Sequence, residues 1–157
     1  MKIEDFPIDQ ITPYEFNNRR HDKIQIERIA KSIKEFGFNQ PIVIDENNEC
    51  LVGHGRLLAA QHLGFQFVPV YKKSNLSEVQ KKAYRILDNK LQNDSLWDFD
   101  NLNLELDSLE DSGLDLADWG LDSLKEINFE PGSIDDQGKL DEPKQAECPE
   151  CGHRFTP

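Results

Sequence analysis

The sequence predicts an α/β fold: a small mixed sheet flanked by helices, followed by an acidic helical extension. Three observations predict it. Short apolar runs at 41–45, 50–52 and 67–71 have strand length and end in turn residues. Residues 23–36 and 77–91 place apolar side chains at helical spacing. The charge then changes sharply after residue 92. Of the 30 Asp/Glu and 18 Lys/Arg behind the net charge of −12, 18 acidic residues and only 4 basic ones fall in residues 93–157. The first part is an ordinary, nearly neutral globular sequence, and the second is a solvated acidic appendage.

Each element follows in order. Residues 8–16 read as a short strand or turn entry, punctuated by Pro13 and Tyr14. A helix over 23–36 puts Ile26, Ile29, Ala30 and Ile33 on one face, with Asp22 to cap its start and Gly37 its end. The run Pro41–Asp45 suits a buried strand, Glu46–Glu49 a turn, and Cys50–Val52 a second strand. Gly53-His54-Gly55 breaks that strand, and Arg56–Leu63 reads as a helix stopped by Gly64. Phe67–Tyr71 is a third strand, whose Pro69 argues for a sheet edge or a strand end. Ser77 with Gln80 makes a capping box for a helix whose apolar face is Val79, Ala83, Leu87 and Leu91, with Ile86 beside it. Beyond Asn93, Phe99, Leu102, Leu106 and Leu109 fit one further helix face, and a short helix is expected around 120–127. The expected organisation is a domain at 1–92, an acidic helical extension at 93–127, a linker at 128–147 and a cysteine-bearing tail at 148–157.

Several classes are excluded. No apolar stretch is long enough to span a membrane. Met1–Asp5 has no apolar run of signal-peptide type, so a cytoplasmic location is expected. Three cysteines do not make a disulfide framework.

The strand-to-helix turn Gly53-His54-Gly55-Arg56 has the chemistry of an anion site. The first N–H groups of a helix lack intrahelical partners and sit at the positive end of its dipole. Glycines let a phosphate approach the backbone, and an arginine can grip two of its oxygens. His54 can donate to a phosphate or titrate near neutrality, and would act catalytically if the chain is an enzyme. The plainer alternative is an ordinary turn with a surface Arg56. Asn17-Asn18-Arg19-Arg20 offers more donors before the first helix, and Asp88-Asn89 offers two oxygens of the kind Mg²⁺ accepts beside phosphates. Cys148-x-x-Cys151 is one edge of a zinc site, with His153 and Cys50 as further ligand candidates; free thiols in a tail are the alternative. A second copy of the chain completing that half-site would make a homodimer.

These motifs, in order with Ile29–Gly37, Gln40–Ile44, Ala59-Ala60, Leu63-Gly64 and Val68–Val70, resemble the N-terminal domain of the ParB partition proteins, within the ParB/sulfiredoxin superfamily. Similar modules occur in phages and mobile elements and ahead of some DNA methyltransferases. The resemblance covers about residues 5–92. It implies that Gly53, His54, Gly55 and Arg56 occupy a nucleotide-phosphate box and that Gln40 lies against the nucleotide. It implies that Asn17 and Arg19 match an Asn-Pro-Arg box, with Asn18 in place of proline. Leu87–Leu91 resembles a segment that holds triphosphate and metal, with Asp88 for glutamate.

The departures are His54 for glutamate, Leu57 for a second arginine, and no evident helix-turn-helix after residue 92. The acidic residues 93–127 are wrong for tracking DNA phosphates. Cysteine chemistry of the sulfiredoxin branch is not expected, because Gly55 precedes Arg56 and Cys50 lies three residues before Gly53.

The resemblance implies a nucleotide- or phosphate-binding module acting with Mg²⁺ in DNA transactions, with DNA or a DNA-processing enzyme as partner. Two alternatives stand beside it. One is a Mg²⁺-dependent nuclease or a small kinase or NTPase using His54, Asp88 and Asn89. The other is a non-catalytic adaptor for a DNA methyltransferase.

Overall fold

The computed structural model describes residues 2–125 and two short paired strands, Ala146–Glu147 and Arg154–Phe155. Cys148, Cys151 and most of the expected linker lie outside the described residues. The first 92 residues form the expected sheet and helices. Strands β1 (Ile3–Pro7), β2 (Ile42–Ile44), β3 (Cys50–Val52) and β4 (Phe67–Lys72) lie in the order β1-β4-β2-β3. The outer pairs are antiparallel and β2/β4 is parallel, so the sheet is mixed. Helices α1 (Lys23–Phe36), α2 (His54–His62) and α3 (Glu78–Gln92) flank it.

The core follows the apolar pattern. Ile42, Ile44, Val68 and Val70 are wholly buried with Leu57 and Ala60 of α2. Each such aliphatic side chain contributes about 1.5–3 kcal/mol on burial. Ala30 and Ile33 of α1 meet Ala59 of α2 in a second cluster, as the α1 periodicity predicts. Asp22 caps α1 by accepting from the Gln25 N–H at 2.7 Å, and Ser77 with Gln80 forms the capping box of α3.

Three local expectations are corrected. The N-terminal strand runs over Ile3–Pro7, while Ile8–Gln10 is a 3-10 turn and only Thr12 bridges to Glu49. Glu4 and Asp5 on this exposed edge guard it against further pairing and mask its apolar signal. Strand β4, with Pro69, is interior rather than an edge. The proline is tolerated because β2 begins opposite Val70, so at Pro69 the strand has a neighbour only in β1. The short helix expected at 120–127 lies earlier, as α5 (Leu116–Trp119), followed by a 3-10 turn at Asp122–Leu124.

The third helix departs most from its periodicity. Val79, Ile86, Leu87 and Leu91 are exposed, and the buried residues are Lys81 and Arg85. Charge decides the rotation. The hairpin between β2 and β3 carries Asp45, Glu46 and Glu49. Lys81 Nζ donates to Asp45 Oδ2 at 2.7 Å and Glu46 Oε1 at 3.0 Å, and Arg85 pairs with Glu49. Asp45 is itself buried and accepts the N–H groups of Asn47 and Glu49, both at 2.8 Å. Burial works to raise its pKa, but the Lys81 bond and these two N–H groups outweigh it and hold the carboxyl below its usual value.

The acidic extension folds back on α1. Helix α4 (Phe99–Asp111) buries Leu106, and α5 buries Leu116. Trp119 packs on Phe36 with ring centroids 5.5 Å apart, Lys31 Nζ sits 4.3 Å from the Trp119 ring, and Lys31 also pairs with Asp118. Among the described residues no helix is long and apolar enough to cross a membrane.

Removing one member of a buried ionic cluster strands the others. Asp45→Ala should destabilise the domain by about 3 kcal/mol, measured by urea unfolding. A change under about 0.5 kcal/mol would show that the cluster does not fix α3.

Candidate functional site

Strand β3 delivers the chain to Gly53, which turns it in the left-handed region (φ 101°) and opens α2 with no side-chain cap. The first-turn N–H groups of α2 are therefore left without a capping side chain. Arg56 folds back over Gly53: a Cβ there would lie 3.1 Å from Arg56 Nη2. Arg56 Nη1 donates to Gln40 Oε1 at 2.6 Å, so Gln40 aims the guanidinium. Its Nε is buried and has no partner. Burial lowers the Arg56 pKa, against the opposing field of Asp88. Gly55 is needed for a different reason. A Cβ there would press on Ile29 at 3.0 Å and His21 at 3.1 Å, so the glycine lets α1 close over the start of α2.

His54 is half-buried, and its Nε2 accepts the Tyr14 N–H at 3.4 Å, which leaves the ring proton on Nδ1. Burial, with the fields of His21 and Arg85, brings its pKa down to about 4. The ring is therefore neutral near pH 7, and the expectation that it titrates near neutrality is corrected.

Opposite α2 stands the inner face of α3. Arg85 is buried and stacks on the Tyr14 ring, 3.6 Å from its centroid. Glu49 pairs with one end of its guanidinium, while its Nε is buried and unpartnered. Asp88 and Asn89 follow on the same face; Asp88 Oδ2 accepts from Gln92 and Asn89 Nδ2 donates to the Arg85 carbonyl at 2.8 Å. The loop before α1 closes the third side. Asn17 closes its own turn, with Oδ1 accepting the Arg19 N–H at 3.3 Å. Arg19 reaches across to Asn93 Oδ1 at 3.2 Å.

These walls enclose a cavity of about 310 Å³. Asn17, Arg19, Gly53, His54, Gly55 and Arg56 all line it, as do Asp88 and Asn89. Gln40 stands outside the lining and acts on it through Arg56. Four arginines (19, 20, 56 and 85) face one carboxylate, Asp88, so the cavity favours an anion. His21, Gln25 and Arg85 also line the cavity and belong to none of the sequence motifs. A signal for Arg85 existed: Arg85, Asp88, Asn89 and Gln92 recur at helical spacing as a polar stripe.

Among the described residues, no group of three or more His, Cys, Asp or Glu side chains comes together as a metal site. Asp88 and Asn89 would supply two ligands to Mg²⁺ only alongside phosphate and water oxygens. Cys50 is excluded as a zinc ligand. It is buried in the core, its thiol pKa is pushed up to about 12 by burial, and Sγ contacts the Val52 carbonyl at 3.6 Å.

The chain is similar in sequence and fold to several known proteins. The chain is 40% identical over 82 residues to the ParB-like nuclease domain-containing protein YnaK of Escherichia coli (strain K12), a match covering 52% of this chain and 94% of that protein. It is 35% identical over 100 residues to the nucleoid occlusion protein of Bacillus cereus (strain AH187), covering 60% of this chain but only 34% of the relative. The fold is similar to that of the C-terminally truncated chromosome-partitioning protein ParB from Caulobacter crescentus complexed with CTP-gamma-S, with a TM-score of 0.61 at 20% identity over 80% of this chain and 73% of the other. That coverage extends the likeness of fold past residue 92 into the acidic extension. The ParB N-terminal domain family matches residues 1–90, more than half the chain, and the protein belongs to that family.

Proposed function

We propose that the cavity between α2, α3 and the loop before α1 binds the phosphates of a nucleotide, and that the domain uses this binding in DNA transactions. One observation carries the reading. Arg56 and Arg85 each bury an Nε–H donor without a partner, on facing walls of the same arginine-rich cavity. A buried unmet donor costs about 1–3 kcal/mol, and a phosphate held between the two guanidinium groups would offset that cost with charge-assisted hydrogen bonds. Gln40 and Tyr14 already hold the two guanidinium planes, so little side-chain freedom remains to be lost on binding. The C. crescentus relative was crystallised with a cytidine triphosphate analogue, which supports a nucleoside triphosphate as the ligand class. Asp88 and Asn89 would hold Mg²⁺ against its phosphates; the ion would neutralise phosphate charge. The names of the relatives, in chromosome partition and nucleoid occlusion, support the DNA context.

His54 fits this reading as a neutral prop and Nδ1 donor rather than an acid–base catalyst. Its bond from the Tyr14 N–H fixes the loop that carries Asn17 and Arg19.

Two outcomes test the assignment. In calorimetry with CTP and Mg²⁺, Arg56→Ala should weaken binding by at least tenfold, since hydrogen bonds to charged groups are worth about 1.5–3 kcal/mol. Unchanged affinity in a folded variant would remove phosphate from this wall. The second outcome concerns pH. The folded pKa of His54, about 4, lies below the ordinary 6.5. Between those values the unfolded chain binds a proton that the native ring refuses, so the His54 contribution to stability should fall as pH drops from 6.5 towards 4. His54→Gln should flatten that slope in urea unfolding; an unaltered slope would contradict the buried, neutral ring.

A further inference from the structure

A second cavity of about 380 Å³ adjoins the first. Tyr14, Phe16 and Asn18 line it from the loop, and Lys82, Arg85 and Ile86 from α3. The two cavities share Arg85, and the loop divides its side chains between them. Tyr14, Phe16 and Asn18 face the second, whereas Asn17 and Arg19 face the first. The shared wall is thus one arginine, 94% buried and unpartnered at Nε, whose other face is stacked on Tyr14.

The chemistry of the second cavity differs from that of the first. Phe16 stands 69% exposed and packs against Tyr14 in a T-shaped pair, with centroids 5.9 Å apart, and it shares the cavity lining with two cations, Lys82 and Arg85. An exposed aromatic face beside cations, next to a phosphate site, is what an unpaired base on a polynucleotide strand requires. Asn18 adds an amide able to donate to and accept from a base edge. Among the described residues of the acidic extension, Asp118 and Trp119 meet Lys31 and Phe36 of α1, and the uncharged Asn93 accepts from Arg19 at the first cavity.

We infer that the second cavity is a base-stacking subsite, and that the site takes a single-stranded oligonucleotide, with one phosphate on Arg56 and Arg85 and an adjacent base on Phe16. This inference rests on the phosphate assignment of the first cavity and extends it from a mononucleotide to a strand. Phe16 serves as the stacking platform, and Arg85 joins the two subsites by touching phosphate on one side and packing on Tyr14 on the other.

Fluorescence anisotropy on the full chain tests this, with a mononucleotide, a short 5′-phosphorylated oligothymidylate and the same length of duplex as competitors. The single strand should bind about tenfold more tightly than the mononucleotide, the gain one stacked base provides. Phe16→Ala and Phe16→Leu should both remove that gain and leave mononucleotide binding unchanged, and Phe16→Trp should keep it. Phe16 is mostly exposed, so these variants should fold. If strand and mononucleotide bind equally, if duplex competes as well as single strand, or if Phe16→Leu keeps the gain, the stacking subsite is wrong while the phosphate site stands. If Arg56→Ala also leaves every ligand bound as before, the phosphate assignment fails with it.

Discussion

The rotation of α3 about its own axis is the constraint on which the site depends, and it is set by burying Lys81 and Arg85 against the acidic hairpin at 45–49. A buried ion pair is a poor source of net stability, because both ions must leave water. Its value here is orientation. A helix with Val79, Ile86, Leu87 and Leu91 along one side would be expected to turn that side inward. It does not, because doing so would leave Asp45, which is 2% exposed, without its cation. The outcome brings Arg85, Asp88 and Asn89 to the cavity and leaves the apolar stripe at the surface.

Everything else in the site is arranged around that face. Gly53 allows Arg56 to fold back, Gly55 allows α1 to approach, and Gln40 holds the Arg56 guanidinium across from Arg85. The loop of residues 14–19 is pinned at both ends: Tyr14 lies between His54 and Arg85, and Arg19 reaches the end of α3. A preformed ring of donors of this kind would lose little entropy on meeting an anion. The same pinning creates the second cavity, since the alternating side chains of the loop cannot all face one way.

Much of this was legible in the sequence. The strands at 42–44, 50–52 and 67–72 and helices α1 and α2 follow from apolar runs and glycine punctuation, and the Gly-His-Gly-Arg turn marks by residue type alone a stretch that lines the cavity. The face of α3 was not legible from hydrophobic period, because ionic pairing with a hairpin more than thirty residues away overrode it. Arg85 was missed for that reason, although its polar stripe with Asp88, Asn89 and Gln92 was present. Strand β1 was missed because its charged edge residues hide the alternation. The low pKa of His54 depends on burial and on the neighbouring His21 and Arg85, which no local pattern reveals.

The phosphate assignment requires the guanidinium groups of Arg56 and Arg85 to receive the ligand together. The most direct measurement is the ¹⁵Nε–¹Hε NMR spectrum of the arginines, assigned through Arg56→Lys and Arg85→Lys and titrated with CTP and Mg²⁺. Both resonances should shift together as phosphate is bound. If both stay in place while other arginines respond, the phosphate is bound elsewhere and the cavity is not the site.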